Sequence, residues 1–156
     1  MSNIKITEAD LNNPKHAAAI LELTNRYAKD PMGQGAPLPE STRERLLEAL
    51  KKFPLYLGIL AWAEDRPAGI ANCFFGFSTF KASRVLNIHD LAVLEEFRGR
   101  GVGRSLIKYA VQKARREKCS KVTLEVREDN RAKRLYESEG FTHGDPVMYF
   151  MTKELE

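Results

Sequence analysis

The stretch Leu91-Ala92-Val93-Leu94-Glu95-Glu96-Phe97-Arg98-Gly99-Arg100-Gly101-Val102-Gly103-Arg104-Ser105 runs from an apolar strand through a glycine-rich loop into the first turn of a helix. Gly99, Gly101 and Gly103 let successive backbone N–H groups converge, the start of the helix adds its partial positive charge, and Arg98, Arg100 and Arg104 supply full charges. This combination suits a pyrophosphate. The loop lacks the Lys-Ser/Thr ending of a P-loop, and its Gly-x-Gly-x-Gly spacing is not the GxGxxG of a dinucleotide fold, so ATP and NAD lose weight.

On the N-terminal side of this stretch, Leu55–Trp62, Ala68–Phe77 and Val85–Val93 are rich in apolar, β-branched and aromatic residues and are separated by turn-like segments. They predict three consecutive antiparallel strands. Strict alternation along the third places Asn87, His89, Leu91 and Val93 on one face and Leu86, Ile88, Asp90 and Ala92 on the other. Further upstream, Ile4–Thr7 predicts a short strand, and Asn13-Pro14 an N-cap with proline at the first position of a helix fading near Lys29. The segment from Asp30 to Pro39, with three prolines and two glycines, predicts a long loop. Ser41-Thr42-Arg43-Glu44 has the spacing of a capping box ahead of a second helix that stops before Pro54.

Downstream, Leu106, Ile107, Ala110, Val111 and Ala114 recur at helical spacing, with Arg104, Lys108, Lys113 and Arg115 on the other face. Lys121–Val126 predicts a strand, Asn130–Ser138 a short helix ended by Gly140, and Val147–Lys153 a last strand. The order specifies an α/β fold built on one mixed sheet.

A chain of 156 residues is expected to form one domain, with no repeat and no linker in its sequence. Its 43% apolar and 29% charged residues exclude fibrous, disordered and disulfide-stapled classes. The longest apolar run, Leu55–Ala63, is about half of a spanning helix, and the N-terminal residues lack a signal peptide's apolar stretch, so the expected location is cytoplasmic with no membrane partner. Cys73 and Cys119 have neither zinc-ligand nor disulfide-framework spacing, so no metal is expected. The net charge of +4 is polarised: Arg98–Arg134 holds 13 Lys or Arg against 4 Asp or Glu. Solvated helix faces, a phosphorylated cofactor or a nucleic acid are all consistent with that charge.

Arg98-x-x-Gly101-x-Gly103 resembles the Arg/Gln-x-x-Gly-x-Gly/Ala motif of the GCN5-related N-acetyltransferase (GNAT) superfamily, at that family's distance from the strand ending in Val93. Leu124-Glu125-Val126, Asn130 and Ala132-x-x-Leu135-Tyr136-Glu137-x-x-Gly140-Phe141 resemble its fifth strand and following helix. The resemblance implies a GNAT-type sheet, mostly antiparallel and twisted, with helices on both faces and a splay between strands 4 and 5. It also implies acetyl-CoA as cosubstrate. The pyrophosphate would lie on the backbone of Arg98, Gly99, Arg100, Gly101, Val102, Gly103, Arg104 and Ser105, and the pantetheine along Leu91, Ala92 and Val93. Asn130 would be a further contact, although Asn130-Arg131-Ala132 is one residue shorter than the family's Asn-x-x-Ala.

The implied activity is transfer of an acetyl group to a primary amine, for which the amine must lose a proton and the leaving thiolate gain one. Tyr136 is the candidate acid, by resemblance and because a phenol of reference pKa about 10 can reprotonate a thiolate of about 8.5. His89 and Glu125 are equal candidates for the base, with Asp90 behind them. The expected acceptor is the amine of a small molecule, held between the Asp30–Glu40 loop and the Gly76–Ser83 turn, where Asp30 suits an ammonium and Lys81 and Arg84 an anion. A protein N-terminus or lysine, and a non-catalytic acyl-CoA-binding regulatory module, are the alternatives. Nucleic acid is disfavoured because the basic segment has only Tyr109 and Tyr136 as aromatics. A homodimer is compatible with the sequence but no residue requires it.

Overall fold

The computed structural model describes residues 3–156, which form two compact units divided after Leu124. The first holds one five-stranded sheet in the order β1 (Ile4–Glu8), β2 (Tyr56–Ala63), β3 (Arg66–Ser78), β4 (Ser83–Val93), β5 (Val122–Leu124). Pairing is antiparallel from β1 to β4 and parallel between β4 and β5. The helices are α1 (Pro14–Lys29), α2 (Glu40–Lys51) and α3 (Val102–Arg116).

Both faces of the sheet are covered. A Cβ built on Gly69 of β3 would meet Val102 and Leu106 of α3, whereas Asn72, on the opposite face of the same strand, bonds Thr24 of α1. The core therefore has two layers, with Ile20 and Leu23 of α1 over one face and Val102, Leu106 and Ile107 of α3 over the other, all within 1% of complete burial. Asn13 caps α1 as expected, its side chain accepting from the amides of Lys15 and His16. The capping box expected at Ser41 does not form. Helix α2 begins at Glu40, the Pro39 carbonyl accepts the Arg43 amide, and Ser41 already lies within the first turn.

The strict alternation expected along β4 is broken by a bulge. Asn72 of β3 faces Asp90 and Cys73 faces Ile88, so His89 is an extra residue on β4. Cross-strand partners share a face, so Leu86 and Ile88 sit with Cys73 on the α3 side, while Asp90 and Ala92 sit with Asn72 and Ile70 on the α1 side. Two residues expected together with Leu86 are thus on the opposite face from it. Strand β5 pairs only with Leu86, Asn87 and Ile88, so among the described residues β4 continues from His89 to Val93 without a partner on that side, which is the splay implied by the family resemblance.

The second unit, Glu125–Glu156, contains α4 (Ala132–Ser138), followed by Gly140 at φ 92°. The strand expected at Val147–Lys153 is not formed. Val147, Met148, Tyr149, Phe150 and Met151 are 51–88% exposed, and the described residues give them no ladder. Five consecutive apolar residues without alternation carry β propensity but specify no buried face, so the composition alone does not secure a partner.

Candidate active site

The glycine loop is built from a strand end, one turn of 3-10 helix (Glu95–Phe97) and the start of α3. Gly99 and Gly101 have φ of 75° and 80°, and a Cβ at either would meet nothing within 4 Å, so glycine is needed there for backbone conformation rather than for space. Gly101 is the N-cap of α3 and supplies no side-chain cap. The first intrahelical bond is from the Ser105 amide to the Gly101 carbonyl, so the amides of Val102 and Gly103 have no acceptor within the helix. The Ser105 hydroxyl also donates to the Gly101 carbonyl, which commits that residue to the first turn. The Arg100 guanidinium lies 5.5 Å from the centre of the Phe97 ring.

The open half of β4 presents a definite backbone pattern. The Leu94 amide donates to Ala68 of β3, so, with alternation, the amides of Leu91 and Val93 point the other way, to the side that β5 has left. Before the bulge the phase is opposite: the Leu86 amide donates to the Lys121 carbonyl beside β5. The outward carbonyl of Val93 accepts from Arg98 Nε at 3.0 Å, and the same guanidinium reaches Asp30 Oδ2 at 3.0 Å. Arg98 thereby ties the end of β4 to the loop after α1. Between them lies a cavity of about 400 Å³, lined by Arg26, Tyr27, Lys29, Asp30 and Pro31 on one side and Ala92, Val93, Leu94, Glu95 and Arg98 on the other.

These contacts revise the sequence-based acceptor site. Asp30 is engaged: the Met32 amide bonds its carboxylate and, with Arg98, holds the carboxyl below its ordinary range despite partial burial. Arg84 pairs with Glu117 and stacks over Phe75 at 4.2 Å, so it braces the sheet against α3. Bidentate pairing to Arg26 occupies Glu96 in the same way.

A polar network on the α1 face had no counterpart in the motif reading. Asn72, only 5% exposed, accepts from the Tyr56 hydroxyl at 2.7 Å and donates to Thr24 Oγ1 at 3.1 Å and Asp90 Oδ2 at 3.0 Å. Two polar residues inside apolar strands, Asn72 and Asp90, were the available signal. The bulge that makes them neighbours is not written in any local pattern. His89 is exposed, with its ring edge-on to Phe74 at 5.7 Å. Cys73, on the other face, is no nucleophile: burial, with help from Asp90, pushes its thiol up to about 12.

In the second unit, Glu125 is the first residue after β5, and Arg127 forms a two-pronged pair with Asp129. Asn130 Oδ1 accepts from the Ala132 amide at 2.9 Å, so this side chain helps to start α4. Tyr136 is buried at 7% exposure, with its ring 6.2 Å from that of Phe141.

A splayed sheet, a glycine turn with open helix-terminal amides and an unpartnered strand edge define the class to which comparison also leads. The sequence profile of the Acetyltransferase (GNAT) family matches residues 18–141, across both units, and the chain belongs to that family. A protein named as an uncharacterized N-acetyltransferase of Chlorobaculum tepidum is 35% identical over 94 residues, 60% of this chain. The match spans about half, 51%, of that curated relative's length. A crystal structure of a probable acetyltransferase is similar at a TM-score of 0.83 and 25% identity, over 97% of this chain and 99% of that one. An aminoglycoside N-acetyltransferase in complex with CoA shares the fold at a TM-score of 0.76 and 17% identity, over 98% and 97% of the two chains.

Proposed function

We propose that the chain is a single acetyltransferase domain that transfers the acetyl group of acetyl-CoA to a primary amine of a small molecule. The observation that carries this reading is the conjunction of the open α3 amides with the outward amides of Leu91 and Val93. The first set suits a diphosphate and the second a linear chain bearing amides, and CoA contains both. In this reading the loop from Arg98 to Ser105 holds the diphosphate, Leu91, Ala92 and Val93 hold the pantetheine, and Asn130 and Tyr136 add contacts. The bound cosubstrate supplies an acetyl group activated as a thioester.

The protein's own residues then have three tasks. Arg98 fixes the strand end and the loop after α1, so that the edge is preformed before binding. His89 or Glu125 accepts the proton that the attacking amine must lose. The Tyr136 hydroxyl gives a proton to the departing sulfur, and Tyr136→Phe should lower kcat on the order of a hundredfold, as loss of a general acid does.

The test is thermal unfolding with CoA, acetyl-CoA, ATP and NAD, followed by thiol release from acetyl-CoA against amines. Stabilisation by the CoA species alone, with thiol release for an amine, supports the reading. Absence of any shift with CoA refutes it, and CoA binding without turnover would leave a binding module.

A further inference from the structure

We propose that the end of the sheet farthest from the glycine loop is a docking surface for an anionic lipid bilayer, with Phe80 and Phe77 entering the interface and lysines meeting its anionic headgroups. The proposal goes beyond the acetyltransferase reading and does not rest on it. Several elements of the first unit meet at this end. The Phe75 amide donates to Leu55 just before β2, the Glu117 carboxylate after α3 pairs with Arg84, and the Ser120 amide donates to the Arg84 carbonyl. Beyond them only the β3–β4 turn continues. The glycine loop follows the other end of β4, whose eleven residues separate the two regions by roughly 33 Å.

Four large apolar side chains are exposed here: Phe80 at the tip of the turn is 100% exposed, Phe77 64%, Phe53 48% and Leu55 39%. The turn that carries Phe80 is ordered. Ser78 pairs with Ser83, the Lys81 amide donates to Ser78 Oγ at 3.3 Å, and Ala82 holds a φ of 48°. Turns ordinarily carry polar residues, and a phenylalanine held out at the tip of one gains free energy only by leaving water. Cations surround it. Segments 51–55, 77–84 and 115–121, which build this end, contain eight Lys or Arg against one acidic residue, although the whole chain is only +4. That residue, Glu117, is committed to Arg84 and Lys113. Lys52, Lys81, Lys118 and Lys121 are exposed and have no carboxylate partner among the described residues.

Charge and shape select the partner. Two such ends brought together would set cation against cation, which disfavours a second copy of the chain. Nucleobases stack on aromatic faces aligned along one groove. Here Phe53 packs edge-on to Phe74 on the α1 face, Phe77 follows Cys73 and Phe75 on the α3 face, and Phe80 stands at the rim between them, so no single groove aligns the rings. A bilayer interface yields to a projecting apolar tip and offers anionic headgroups to the lysines around it. Such docking needs no spanning helix, so the sequence features that argued against one do not bear on it.

The experiment is co-sedimentation of the full chain with vesicles of phosphatidylcholine alone and of phosphatidylcholine with about 30 mol% phosphatidylglycerol, at low and high salt. The wild type should bind the anionic vesicles, leave them as salt rises, and bind the neutral ones at least about tenfold more weakly. Phe80→Ser should lower the affinity about tenfold or more, as loss of one buried aromatic side chain does, while Phe80→Trp should retain it. Lys81→Gln and Lys121→Gln should each cost about fivefold, the effect of one cation near an anionic surface. Lys5→Gln removes the same charge at the other end of the sheet, where Lys5 faces Trp62, and should change nothing. These positions are exposed, and circular dichroism checks that each variant folds.

No binding to the anionic vesicles overturns the proposal, as does equal binding to the neutral ones, an unchanged affinity in Phe80→Ser, or an equal loss in Lys5→Gln and Lys81→Gln. A dimer in solution that Phe80→Ser dissociates gives this surface to a second copy and overturns it. So does binding of a single-stranded RNA homopolymer that Phe80→Ser abolishes, in the absence of vesicle binding. None of these readouts involves CoA or an amine, so failure here leaves the acetyltransferase reading untouched.

Discussion

The two halves of β4 do different work although they belong to one unbroken strand. Leu86, Asn87 and Ile88 are paired on both sides, by β3 and β5, and Leu86 and Ile88 are buried under α3. From His89 to Val93 the strand keeps β3 but loses β5, and its outward amides change phase by one residue. The bulge lies where the doubly paired half gives way to the edge. An exposed edge is ordinarily a hazard for aggregation, and here Arg98 occupies the Val93 carbonyl while the glycine loop follows directly. The difference teaches that pairing, rather than any side chain, divides the strand: the half beside β5 is held on both sides, and the half beyond the bulge presents an open edge.

Truncation within each half sharpens the contrast. Leu86→Ala, at a site with 0% exposure, should cost about 2–5 kcal/mol, whereas Leu91→Ala should cost below about 1 kcal/mol and leave CoA affinity intact, because its proposed contact is through the backbone. Calorimetry and urea melts on the two variants separate these effects.

Gly101→Ala should lie between these extremes in stability. The added Cβ meets open space, so the penalty is only the positive φ, about 1 kcal/mol, while CoA affinity should fall because the turn that aims the α3 amides is strained. Asp30→Asn should have the smallest effect on stability. The Asp30 and Arg98 side chains are 24% and 56% exposed, and such pairs contribute about 1 kcal/mol or less. The Asp30 carboxyl is held below its ordinary value, so its contribution is present above about pH 4 and lost as pH falls through the lowered value. The stability gap between wild type and Asp30→Asn should therefore close in acid; a gap that widens there would contradict the assignment.

The order of elements as far as α4 and the antiparallel β2-β3-β4 hairpins were legible because each depends on local signals, apolar periodicity and turn residues, whereas the splay followed from the family resemblance. Helix α1 was written in Asn13-Pro14, whose cap is the one observed. What the sequence left dark depends on distant partners. The bulge at His89 arises from a register between β3 and β4, and Asn72, Tyr56 and Thr24 meet Asp90 only once that register is set. Asp30 offered a plausible ammonium site until Arg98, 68 positions away, claimed it. The apolar run Val147–Met151 suggested a strand from composition, which specifies preference but no partner.

The most direct test of the divided strand is amide hydrogen exchange, resolved by residue, with and without CoA. The account predicts added protection at Leu91 and Val93 and at Val102 and Gly103, with Leu86 and Ile88 unchanged because they are already paired. Protection that spares Leu91 and Val93 while CoA is bound would contradict it.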